Sequence, residues 1–176
     1  MKKIEFLIEL VFFVGFTTMN VYAQCIDESL ELMVYVAGEE LDVELPTQQD
    51  PVKLNATVVF SENKEQLAIV MKVNILSNWH IYSDVNSKSP FIPTRIEMEI
   101  PNDGLIPLRE WEKPLAKKYD DNTQIYEGED LLFIRYYKVG ELLKFDTTWK
   151  CGLYYQACDP FKCHRPETKM IDLVFK

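Results

Sequence analysis

TTWKCGLYYQAC, residues 147–158, alternates. Trp149, Cys151, Leu153, Tyr155 and Ala157 share one parity, and all five are apolar. Successive side chains of a strand point to opposite faces, so one apolar parity reads as a strand with one face on a core. Cys151 then reads as a core residue, since a free thiol packs as a small hydrophobe. Cys158 has the opposite parity and stands where this strand ends. Cys163 follows in the turn beyond it.

The same period recurs along the chain. Leu54, Ala56, Val58 and Phe60 share a face in KLNATVVF, as do Leu67, Ile69, Met71, Val73 and Ile75 in QLAIVMKVNI. In TRIEMEI, Ile96, Met98 and Ile100 oppose Arg95, Glu97 and Glu99. DLLFIRYYKV and MIDLVF are also rich in strand formers, and SENKEQ, IPNDGLIP, YEGED and KVGEL supply turn residues between them. Short strands with turn signals about every 8–12 residues predict an all-β antiparallel sandwich, with a barrel as the alternative. No long amphipathic helix is expected after residue 23. Residues 24–50 read as a loose strand and linker, with Pro46 and Pro51 bracketing a polar break. Residues 51–176 are the expected β domain.

The first 23 residues read as a cleaved signal peptide. Lys2 and Lys3 form a basic start, Phe6 to Phe16 an apolar middle, and Val21-Tyr22-Ala23 a cleavage site. The apolar run is shorter than the roughly 20 residues that a membrane span needs. Lipid anchoring at Cys25 is the alternative, although Gln24 stands where a lipidation motif wants a small residue. Removing residues 1–23 takes away two lysines and two glutamates, so the net charge stays at −9. An acidic domain is a poor ligand for nucleic acid. Export would place the cysteines outside the cytoplasm, where disulfides form and persist.

Three readings of Cys158 and Cys163 compete. A permanent bridge closing six residues would stabilise by about 2 kcal/mol, against about 3 for a 15-residue loop. A metal site would use Cys151, Cys158, Cys163 and His164, but its spacings fit zinc poorly and strand parity aims Cys151 elsewhere. A turn-borne dithiol near solvent could be opened and closed by a partner thiolate.

The chain resembles the N-terminal periplasmic domain of the thiol:disulfide interchange protein DsbD, the disulfide bond corrector family. The residues that carry this are NWHIY (78–82), WEKP (111–114), IYEGE (125–129) and above all YQACDPFKCHRPETK (155–169), within a likeness spanning roughly residues 50–175. The resemblance implies an immunoglobulin-like sandwich whose cysteine pair passes electrons from a membrane-embedded thiol relay to oxidised thioredoxin-like partners. Disulfide isomerases and cytochrome c maturation thioredoxins are examples of such partners. It implies a protein-disulfide reductase component with no cofactor and no metal, in which Cys163 exchanges with partners and Cys158 resolves. It also implies a pocket lined by His80 and Tyr82, and a cap over residues 117–124 with Tyr119 as the shielding aromatic. Because no relay segment is evident in this chain, the expected donor is a separate protein.

Departures are visible. The spacer Asp159-Pro160-Phe161-Lys162 is one residue short, Arg165 replaces the first of two prolines, and Lys117 and Lys118 precede Tyr119 where the family is acidic. Those two lysines, and Lys162, His164 and Arg165 around Cys163, are expected to favour thiolate. Trp79, Trp111 and Trp149 read as core, and Tyr155 and Gln156 as packing beside the motif. The competing function is a non-catalytic immunoglobulin-like adaptor in which Cys158–Cys163 is permanent.

Overall fold

The computed structural model describes residues 25–100, 104–143 and 148–175. The chain opens with α1 (Glu28–Glu40), then β1 (Val52–Phe60), β2 (Gln66–Ile75), β3 (His80–Val85) and β4 (Arg95–Glu99). Next come β5 (Leu105–Pro107), β6 (Lys117–Asp120), β7 (Thr123–Tyr126) and β8 (Leu131–Val139). It ends with β9 (Lys150–Tyr155), β10 (Ala157–Cys158), β11 (Glu167–Asp172) and β12 (Val174–Phe175). Among the described residues three sheets form, ordered β12-β1-β2-β8-β5, β10-β3-β7-β6 and β11-β9-β4. All the strand pairs are antiparallel except β1 with β12. Each strand order is open-ended, so the result is the expected immunoglobulin-like sandwich and not a barrel.

One apolar core joins all three sheets. Leu67, Ile69 and Met71 of β2 and Phe133 of β8 meet Cys151 and Leu153 of β9, Ile81 of β3 and Tyr126 of β7. Burying each such side chain stabilises by about 1.5–3 kcal/mol. Trp149, Cys151, Leu153 and Tyr155 are fully buried, as the alternation of β9 predicts. The exposed parity of β9 is not a free surface. Gly152 lies so close to β11 that a Cβ there would meet the Lys169 carbonyl oxygen. Only glycine admits that approach.

The reading of residues 24–50 as strand and linker is corrected: Glu28–Glu40 is a helix. Its N-cap is Asp27, whose carboxylate accepts from the amides of Ser29 at 2.8 Å and Leu30 at 3.3 Å. Ile26, Leu30, Val34 and Ala37 follow helical spacing and pack on Val59, Ala68, Val70 and Tyr136, the outer face of the large sheet. The apolar Leu32, Tyr35 and Val36 are exposed between them, which blurs the stripe in the sequence. The helix makes β2 a two-sided strand. Residues Leu67 to Ile75 are all buried, and Lys72 reaches out to donate to the Glu39 carbonyl at 3.1 Å at the end of α1.

Gln156 breaks the strand that begins with β9. Its Oε1 accepts from the Ile92 amide at 3.2 Å and its Nε2 donates to the His164 carbonyl at 3.4 Å. Beyond it, β10 leaves the β11-β9-β4 sheet and pairs with β3. That change of sheet carries Cys158 to the site.

Candidate functional site

Cys158 and Cys163 are bonded to each other. They oppose one another as an antiparallel pair with Cα atoms 4.0 Å apart. The backbone bonds around them belong to their neighbours: the Asp159 amide donates to the Lys162 carbonyl at 2.9 Å, and the His164 amide to the Ala157 carbonyl at 2.8 Å. The cysteines thus hold a non-hydrogen-bonded position, where opposed strands approach most closely. The turn between them follows from its sequence. Asp and Pro suit the first two positions of a type I turn. Asp159 Oδ1 also accepts from the amides of Phe161 and Lys162, both at 2.8 Å. The bond from the Phe161 amide does most to hold the Asp159 carboxyl below its ordinary range.

The two cysteines differ in access. Cys158 is 1% exposed and Cys163 is exposed. Parity explains the buried one. On the β10-β3-β7-β6 sheet, Ala157, Ile81 and Tyr126 face the main core, while Cys158, Tyr82 and Ile125 form a separate apolar cluster, with Phe91 packed on it. Cys158 is therefore covered on the outer side of the sheet, away from Cys151. The four-ligand metal set does not assemble: Cys151 is in the core with its Sγ 3.7 Å from Met71 Sδ, while Cys158 and Cys163 are bonded together.

Aromatic rings wall the pair. His80 is the Cα partner of Cys158 across β10 and β3. Its ring lies 5.1 Å from Tyr82, edge-on, and 5.0 Å from Tyr119. Tyr82 stacks on Phe91 at 4.5 Å, and burial, then the neighbouring Tyr119 and Asp120, push its phenol up to about 12. Burial lowers the His80 imidazole from its ordinary value, against the opposing charges of Glu127 and Asp159. His80 Nε2 is buried and has no hydrogen-bond partner among the described residues.

Tyr119 belongs to the β6–β7 hairpin, at a bulge between Lys118 and Asp120. The hairpin folds its ring over His80, yet the residue stays 50% exposed. Lys117 and Lys118, expected from the sequence to favour thiolate, are each ion-paired here. They pair with Glu127 at 2.8 Å and Asp121 at 2.7 Å on the same hairpin. The His164 ring, next to Cys163 in the chain, packs against Trp79 at 4.6 Å. Lys162 Nζ sits 5.7 Å over the same Trp79 ring. Together these contacts tie the second arm of the cysteine turn to Trp79, the residue before β3.

The sequence reading brought together Cys158, Cys163, His80, Tyr82, Tyr119 and His164; the structure links the first five through the disulfide, the β10–β3 pairing and the ring contacts, and sets the His164 ring on Trp79. That reading missed Phe91, Ile125 and Phe161. Phe161 is 95% exposed at the tip of the turn. The available signal was an aromatic in a four-residue loop too short to bury it.

Neither protein-family models nor curated proteins give a match. Among solved structures, the N-terminal periplasmic domain of ScsB from Proteus mirabilis aligns with 17% identity and a TM-score of 0.52 over 74% of this chain. The chain spans about half of that one, 49%. The DsbD N-terminal domain of Neisseria meningitidis in its reduced form aligns with 16% identity and a TM-score of 0.38, over 78% of this chain and 92% of that one. The yeast GGA1 GAE domain aligns with 12% identity and a TM-score of 0.41, over 75% and 98%. At these identities the likeness is one of fold.

Proposed function

We propose that this chain is a periplasmic thiol–disulfide exchange protein. Its Cys158/Cys163 dithiol would carry electrons from a membrane-embedded thiol relay to oxidised thioredoxin-like partners. The observation that carries the reading is the disulfide closing a hydrogen-bonded turn, one cysteine exposed and the other buried beneath aromatic rings. A permanent staple gains nothing from that asymmetry. Exchange uses it: the exposed sulfur meets the partner, and the covered one waits.

The steps balance. In the reduced protein, the Cys163 thiolate attacks one sulfur of a partner disulfide, and the partner's other sulfur leaves as a thiolate and takes a proton. Cys158, deprotonated in turn, attacks Cys163. The intramolecular disulfide forms, and the partner's first sulfur departs and is protonated. Two electrons and two protons have moved to the partner. The relay's dithiol reverses the sequence. In this reading the β6–β7 hairpin, with Tyr119, is the cap, and His164 holds the turn against Trp79. The segment 1–23, outside the described residues, would be a cleaved signal peptide, with lipid attachment at Cys25 the alternative form of export.

The test is covalent trapping. The Cys158→Ala protein, mixed with oxidised thioredoxin-like proteins, is expected to accumulate a complex on a non-reducing gel that dithiothreitol abolishes. Cys163→Ala is expected to trap little. Better trapping by Cys163→Ala would reverse the two roles. No trapping by either variant across a panel of such partners would leave the Cys158–Cys163 bond a structural bridge in an adaptor domain.

A further inference from the structure

We propose that His80 is the base that takes the proton from Cys158 when the mixed disulfide is resolved; this rests on the exchange function proposed above. Three observations point to it. The first is register. His80 and Cys158 are direct partners across β3 and β10, on the same face. Opposed residues of one face have Cβ atoms about 4.5–5.5 Å apart, so imidazole and thiol are neighbours whatever the hairpin tip does.

The second is the unpartnered Nε2. A buried ring nitrogen without a hydrogen bond costs about 1–3 kcal/mol. In the oxidised protein the facing sulfur has no hydrogen to offer. On reduction Cys158 becomes a thiol, a donor on the residue paired with His80, whose Nε2 lacks a partner. The third is the burial of Cys158, which is 1% exposed. A thiol so covered resists ionisation and is screened from hydroxide, so resolution needs a base already inside.

The surroundings suit a neutral imidazole. From its own strand His80 meets the phenol of Tyr82, and from β6 that of Tyr119. Two carboxylates act on it, Glu127 after β7 and Asp159 after β10. Lys117 pairs with Glu127, and the turn amides bind Asp159. Burial prevails over them and keeps the ring an acceptor near neutral pH. The proton passes from Cys158 Sγ to Nε2 and the Cys158 thiolate attacks Cys163. The bond from Cys163 to the partner breaks, and the departing partner thiolate takes a proton in turn.

The test uses the reduced full chain carrying Cys25→Ser, since Cys25 is exposed and free, with one equivalent of dithiobis(nitrobenzoate) as the partner. Attack by Cys163 releases a first nitrothiolate at a rate that grows with concentration. Resolution by Cys158 releases the second at a rate that does not. His80→Gln and His80→Phe are expected to slow the second phase about a hundredfold at neutral pH, within the range of general-base catalysis, and to leave the first within about twofold. The deficit should shrink as pH rises and hydroxide takes over. An unchanged second phase in a folded variant overturns the role of His80 and leaves the exchange function standing. A parent protein with no second phase overturns both. Should the variants fail to fold, the parent decides through its own pH profile. A shoulder in the resolution rate on the acid side of pH 6.5, the ordinary imidazole value, supports the base, and a single rise without that shoulder refutes it.

Discussion

Reducing Cys158–Cys163 should leave this domain folded and only modestly less stable. The bond joins residues five apart in sequence, closing a loop of six. In the chain-entropy treatment such a loop contributes about 2 kcal/mol. The native hairpin does not depend on the bond alone. The bonds from Asp159 N to Lys162 O and from His164 N to Ala157 O, and those from the turn amides to Asp159, all remain after reduction. So do the His164 and Lys162 contacts with Trp79. For a domain near 150 residues, 1 kcal/mol shifts Tm by about 2–4 °C, so reduction should lower Tm by about 4–8 °C. By linkage, the fold favours the disulfide by the same 2 kcal/mol, about 45 mV for a two-electron couple. That is a bond a partner can open. The assay is calorimetry of the oxidised protein and of the protein held reduced, followed by equilibration with glutathione buffers. A fall in Tm of about 15 °C or more would exceed the loop entropy about two- to fourfold and identify a structural staple. Loss of cooperative unfolding on reduction would refute the reasoning equally.

Tyr119→Ala removes the ring that lies 5.0 Å from His80; alkylation of Cys158 in the reduced protein, read by peptide mass spectrometry, should speed by at least about threefold, because less of the local structure must open first. Cys151 is fully buried, and desolvation pushes its thiol up to about 12 from 9.0. The sign is that of an acid kept neutral by folding: its contribution is whole below pH 9 and is lost as pH climbs from 9 towards 12, by about 1.4 kcal/mol per unit at the steepest. Denaturant titrations at pH 9 and 10 should therefore show a loss about 1 kcal/mol smaller in Cys151→Ala than in the parent, and disulfide exchange by that variant should be undiminished. Gly152→Ala drives a Cβ into the Lys169 carbonyl; separating β9 from β11 should cost about 3 kcal/mol or more in chemical denaturation, whereas a change under about 1 kcal/mol would show that β11 yields freely.

How far the sequence reaches is best seen at the two strand cysteines. The opposite parity of Cys151 and Cys158 is written in TWKCGLYYQAC, because alternation is a property of extended backbone and needs no knowledge of neighbours. The core placement of Trp149, Leu153 and Tyr155, the turn at Asp159-Pro160, and the sandwich class follow from equally local rules, and the structure agrees with each. Family likeness at the level of short motifs supplied His80, Tyr82 and Tyr119 as neighbours of the pair. What lay beyond reach was long-range. The helix Glu28–Glu40 exists because Ala68 and Val70, small residues on the far side of β2, leave an apolar face to cover; no window confined to residues 24–50 contains that face. The pairing of Lys117 with Glu127 is made by a hairpin that brings together residues ten apart in sequence. The packing of His164 on Trp79 joins residues 85 apart in sequence, and no local pattern announces it. The facing of His80 and Cys158 is a matter of register between strands far apart in the chain. Dihedral preference sets the period of each strand, but only the burial of all three sheets together selects which residues stand opposite one another.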